Sequence, residues 1–197
     1  MNISLPLMWG WVTTPLELTS FLLSVITVAL NIRQIHWGWM FSILSSLLYC
    51  AVFFDARLYG DSGLQVVFVL VSIWGWAQWW RHGDVSPPLV VTRLDRFGRI
   101  FSVLASLLIF AALYFFLKSA TDTDVPLADS FLTAGSLAGQ ILLSRKKLEN
   151  WYVWIVVDVL YVALYVYKNL MLTAVLYAIF VVMAIIGART WRALCPK

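Results

Sequence analysis

Displaced by 112 positions, the chain matches itself without a gap. Arg33 falls on Arg145, Trp39 on Trp151, Tyr49 on Tyr161, Leu58 on Leu170 and Leu64 on Leu176. Phe68 falls on Phe180, Ile73 on Ile185, Gly75 on Gly187 and Trp79 on Trp191, while upstream Glu17 falls on Asp129 and Ser24 on Ser136. In so apolar a sequence, coincidences of Leu or Val are cheap. Coincidences of Gly, Trp, Tyr and Arg at one offset are not, and they mark a duplicated unit. A duplicated membrane unit usually encloses a substrate path where its copies meet.

The setting is a bilayer. Of the 197 residues 62% are hydrophobic and 12% charged, with a mean hydropathy of +0.86, which excludes an ordinary soluble globule. The first basic residue is Arg33, so the basic start of a signal peptide is missing and the first apolar segment is expected to stay in the protein. Cys50 and Cys195 offer neither a disulfide framework nor a zinc spacing, and no metal or cofactor is expected. The net charge of +4 comes from residues scattered at segment ends, which reads as topology and not as nucleic-acid binding.

Spanning the hydrocarbon takes roughly 17 to 25 apolar residues. Seven stretches qualify, near 14–32, 37–54, 60–80, 100–118, 128–144, 150–167 and 170–190. Thr14, Pro15 and Glu17 have the spacing of a capping box at the start of the first, so Glu17, and Asp129 by the repeat, read as caps before they read as catalysts. With the N-terminus outside, Arg33, Arg81, Arg93, Arg96, Arg99, Arg145, Lys146, Lys147, Arg189, Arg192 and Lys197 fall in the cytoplasm, eleven of the fourteen basic residues. Only Arg57, Lys118 and Lys168 stay outside. Three helices per copy would make directly joined copies antiparallel, and one further helix restores the direction. The expectation is an all-α polytopic membrane protein of seven helices in a 3+1+3 parallel duplication. Its parts are a first repeat over 1–80, a cytoplasmic linker with Pro87-Pro88 over 81–99, an inverting helix over 100–118 and a second repeat over 119–197.

Asp158 is the only acid deep inside an expected span, about 12 Å from the start of its helix. An Asp at that depth costs roughly 2.5 to 3.5 kcal/mol on insertion scales. One reading is a site for a cation or proton, the other a structural hydrogen bond to a neighbouring helix. Trp154, Asp158, Tyr161 and Tyr165 share a helical face, and an acid among aromatic rings suits a flat cationic ring. The repeat places Ser42, Ser46, Tyr49 and Phe53 on the corresponding face of helix two, small and neutral where the other copy is bulky and acidic. Helix three adds Gln65, Ser72 and Trp76. The Gln65 amide fits either a substrate hydroxyl or ring nitrogen, or an interhelical bond. Trp9, Trp11, Trp37, Trp79, Trp80 and Trp191, near segment ends, read as interfacial belts, and His36 and His82 as solvated.

Other seven-helix or intramembrane activities lack their residues. A retinal sensor needs a Lys within the last span, but Lys168 precedes it and Lys197 follows it. An intramembrane hydrolase needs paired carboxylates, an HExxH or a Ser with a base. A coupled pump would show a relay of acids. Facilitated carriage, not enzymatic chemistry, is what remains.

Arg33-Gln34, Trp37-Gly38-Trp39, Phe53-Phe54, Leu58-Tyr59, Leu64-Gln65, the run Ile73-Trp74-Gly75-Trp76 ending at Trp79, Glu149-Asn150-Trp151 with Trp154, and Gly187 with Trp191 resemble the Pnu family of bacterial vitamin transporters. The likeness spans nearly the whole chain. It implies a SWEET-like fold, a homotrimer in the inner membrane, and facilitated diffusion with the vitamin trapped by cytoplasmic phosphorylation. Substrate-binding residues expected on this basis and the reading above are Asp158, Trp154, Tyr161, Gln65, Ser46, Tyr49, Ser72 and Trp76. The family's nicotinamide riboside signature has Asn where this chain has Asp158. Pyridinium and thiazolium rings are both cations, so nicotinamide riboside ranks first and thiamine second, with riboflavin or a proton-coupled carrier behind.

Overall fold

The computed structural model describes residues 5–6, 12–13, 15–55, 59–84, 89–121, 125–167 and 171–195. Seven helices make up nearly all of these. They are α1 (Pro15–Ile32), α2 (Gly38–Asp55), α3 (Tyr59–Asp84), α4 (Arg96–Ala120), α5 (Pro126–Ser144), α6 (Glu149–Tyr167) and α7 (Met171–Leu194). A two-residue antiparallel pair, β1 (Leu5–Pro6) with β2 (Val12–Thr13), and a single bridge between Thr92 and Lys147 are the only β-pairings among the described residues. Thr14, Trp9, Trp11, Pro87, Pro88, Lys168 and Lys197, and the side chains of Glu17, Phe53 and His82, lie outside the described residues, and so does the capping box.

The apolar stretches and the helices agree within a few residues except around the linker. There α3 continues to Asp84 and α4 begins at Arg96, four residues before the apolar run. Hydropathy marks where lipid begins, whereas capping marks where a helix begins. The Asp95 carboxylate accepts the Gly98 N–H at 2.8 Å and starts α4 a turn early. Among the described residues three helices, α4, α6 and most of α7, are long and apolar enough to cross a membrane. Shorter apolar helices cover Leu18–Ile32 and Gly38–Ala51. In α5, Ser130, Ser136, Gln140 and Ser144 are buried, so its polarity is shielded by protein.

The chain forms two compact units, Met1–Arg81 and His82–Lys197. In the first, α1 packs on α2; in the second, α5 packs on α4 and on α6, and α6 on α7. The turn that opens the internal match is built the same way in each. Gln34 (φ 56°) and Lys146 (φ 49°) are left-handed. Ile35 N–H donates to Leu30 O at 2.9 Å and Gln34 N–H to Asn31 O at 3.0 Å; Lys147 N–H donates to Leu142 O at 2.9 Å and Lys146 N–H to Leu143 O at 2.9 Å. This is the Schellman pattern that ends a helix, repeated bond for bond at the 112-residue offset.

Packing repeats as well. Trp39 and Trp79 meet edge to face at 5.4 Å and 90°, Trp151 and Trp191 at 5.4 Å and 88°. A Cβ added at Gly75 would lie 2.5 Å from the Trp39 ring, and one at Gly187 would lie 2.6 Å from the Trp151 ring. Only glycine lets the helix backbone reach these indoles. Their Nε1–H groups are buried without an acceptor among the described residues, so packing alone holds both rings. Trp79 and Trp191 are therefore core and not interfacial belt; Trp191 has no exposed surface at all. Their place near segment ends suggested the interface, but each faces a partner indole. One exchange is compensated: where Gly38 leaves room for the Asn31 side chain, the second copy carries Asn150, whose Nδ2 donates to Lys147 O at 2.6 Å, and Leu143 in place of Asn31. A carboxamide thus fills both turns, from opposite sides of the connection.

Candidate functional site

The second unit carries the acid. Two glycines four apart on α5, Gly135 and Gly139, let α6 approach closely, as small residues at this spacing do in membranes. A Cβ at Gly135 would strike Val157 at 2.6 Å, and one at Gly139 would come within 2.9 Å of the Trp154 indole. Trp154 is thereby laid against α5. Asp158, one turn on, is 3% exposed. Its carboxylate has no hydrogen bond and no ion pair among the described residues.

Beyond Asp158 the same face of α6 meets α7 through rings. Tyr161 and Tyr165 stack at 5.6 Å and 14°, and Tyr177 of α7 lies 4.6 Å from Tyr161 and 5.2 Å from Tyr165. Phe180 closes the group edge-on to Tyr177 at 5.6 Å. Tyr177 escaped the sequence reading although its signal was there: the repeat sets it on Gln65, which had been singled out. The Gly135-x-x-x-Gly139 spacing was the other unread signal.

In the first unit, hydroxyls tie the helices together. Ser42 and Ser72 share a hydrogen bond at 2.9 Å, tying α2 to α3, and Ser24 with Ser45 ties α1 to α2 at 2.7 Å. Ser46 is buried on α2, while Tyr49 and Gln65 are half-buried. Trp76 does not join this group. Its ring lies 5.9 Å from Trp37 and 6.4 Å from Trp80, and His36 packs 5.2 Å from Trp37 and 5.6 Å from Trp80. His36 is partly exposed, with its Nδ1 buried against these rings. Among the described residues no group of His, Cys, Asp and Glu is placed to hold a metal ion.

Each unit is built of apolar helices, the first tied by serine hydroxyls and the second holding a buried acid and a ring cluster. The chain belongs to the nicotinamide mononucleotide transporter family, whose profile matches residues 14–193. The Pnu resemblance is borne out by its relatives. It is 27% identical over 180 residues to the riboflavin/roseoflavin transporter RibM of Streptomyces davaonensis, covering 89% of this chain and 83% of that protein. It is 25% identical over 179 residues to the nicotinamide riboside transporter PnuC of Escherichia coli, covering 78% and 75%. The crystal structure of the vitamin B3 transporter PnuC shares the fold, with a TM-score of 0.76 at 21% identity over 91% of this chain and 81% of that one. The relatives are transporters of vitamins, and this chain is a vitamin transporter of the same family.

Proposed function

We propose that the protein carries nicotinamide riboside by facilitated diffusion across the bacterial inner membrane. The observation behind this reading is the buried Asp158, without a partner among the described residues, on the α6 face that carries Trp154 and the Tyr161 group; this face would offer a counter-charge and ring faces to a pyridinium. The hydroxyls of Ser46 and Ser72 and the Gln65 amide are candidates for the ribose. Thiamine meets the same requirement with its thiazolium. Riboflavin is the competing reading, favoured by the RibM likeness over 89% of the chain; its neutral ring would use Asp158 as a hydrogen-bond acceptor only.

Intrinsic tryptophan fluorescence of the purified protein, titrated with each of the three vitamins, separates them. Nicotinamide riboside is expected to bind most tightly, and saturation by riboflavin alone overturns the cationic reading. Proteoliposomes should equilibrate the bound vitamin in both directions and show counterflow. Accumulation driven by a proton or sodium gradient would replace facilitation by coupling.

In this proposal all seven helices span, each three-helix copy runs the same way through the bilayer, and α4 is the inverting helix between them. The N-terminus is then outside and the C-terminus cytoplasmic. A reporter fused after Lys197 should be active in the cytoplasm and a tag before Met1 accessible from outside; both ends on one side rejects the parallel duplication.

A further inference from the structure

Two basic segments that are far apart in sequence meet in the second unit. Thr92 N–H donates to Lys146 O at 3.1 Å and Leu148 N–H donates to Thr92 O at 2.9 Å. The Lys147 ammonium donates to the Thr92 hydroxyl at 2.9 Å. Leu94 N–H is shared by both Glu149 oxygens at 3.1 Å. Buried Val91 and Leu148 fasten the contact with apolar surface. The stretch before α4 is thereby clasped to the turn between α5 and α6, and Arg93, Arg96 and Arg99 come to the same edge as Arg145, Lys146 and Lys147.

The two nearby carboxylates are not paired with Arg93, Arg96 or Arg99 among the described residues. Glu149 is engaged with the Leu94 N–H and Asp95 with the Gly98 N–H. Arg93, Arg96 and Arg99 are exposed and make no ion pair among the described residues. The patch also sits at a membrane surface by construction, since it gathers the starts of α4 and α6, two helices long and apolar enough to span. Its arginines alternate with exposed apolar side chains, Phe97 at 76%, Ile100 and Phe101. A soluble anion would use the charges and leave these apolar groups in water. A phospholipid uses both, with its phosphate on the arginines and its acyl chains along α4.

We propose that the clasped segments form a site for the phosphate headgroup of an anionic phospholipid. The clasp is what makes the site, because without it the two basic clusters are independent. The test is thermal stability of the purified full chain in micelles titrated with phosphatidylglycerol, phosphatidylcholine or inorganic phosphate. Phosphatidylglycerol should stabilise and phosphatidylcholine should not. Each basic side chain contributes about fivefold to such binding, so R93Q/R96Q/R99Q, at exposed positions, should raise the half-saturating phosphatidylglycerol concentration by about 100-fold. Glu149→Ala breaks the clasp while removing a negative charge. Simple charge attraction predicts binding as tight or tighter, whereas a composite site predicts weaker binding. Unchanged or tighter binding by Glu149→Ala, equal stabilisation by the two lipids, or stabilisation by inorganic phosphate alone each overturns the proposal.

Discussion

Asp158→Asn should weaken binding of a cationic vitamin by about 10- to 100-fold and leave a neutral ring analogue far less affected. The magnitude follows from the roughly 1.5 to 3 kcal/mol carried by a hydrogen bond to a charged group. The structure sharpens what stability should do in the same variant. Because the carboxyl group is 3% exposed and has no partner among the described residues, its replacement by an amide of the same shape breaks no described interhelical bond. The ligand-free variant should therefore be as stable as the parent. Trp154→Ala provides the contrast, weakening cation and neutral analogue alike by deleting the ring face. Affinities of both ligands for both variants, with melting temperatures measured without ligand, decide the matter. A variant that melts earlier but binds the cation normally would make Asp158 a structural residue and misplace the site.

Gly75→Ala and Gly187→Ala should each destabilise the protein by about 1 to 3 kcal/mol, the range for overpacking a filled core. Each new methyl would sit 2.5 to 2.7 Å from three ring atoms of Trp39 or Trp151. Neither indole can yield easily: Trp39 is completely buried, Trp151 is 2% exposed, and each is pinned edge to face by a second buried tryptophan. Gly63 is the internal control, with nothing within 4 Å of its added Cβ. Gly63→Ala should be neutral or stabilising, since alanine is the better helix former by about 1 kcal/mol. Thermal unfolding of the three variants in one detergent tests the contrast. If Gly187→Ala melts with Gly63→Ala, the packing of α7 on Trp151 is looser than described.

Much of the fold was legible because its signals are local. A span announces itself by an apolar run, and its connection by residues within one or two turns. The repeated Schellman turn involves contacts no more than six residues apart, so the matched Arg33-Gln34 and Arg145-Lys146 carry it in plain sight. The same locality explains why α4 begins four residues before its apolar run, where the Asp95 cap starts the helix. The face of Trp154, Asp158, Tyr161 and Tyr165 was readable too, because a helix converts spacing directly into direction.

The sequence alone thus determined seven helical segments, a duplication, and one acid on an aromatic face of α6. Only the tertiary structure decided what each side chain meets. It buried Trp79 and Trp191 against partner indoles and drew His36 in among Trp37 and Trp80. It added Tyr177 to the Tyr161 group, set Trp154 on Gly139, and clasped Thr92 to Lys147 across 55 residues. Such contacts have no period in the chain. They depend on how closely two helices approach, and that approach is set by glycines at particular positions whose role appears only when the facing ring is known.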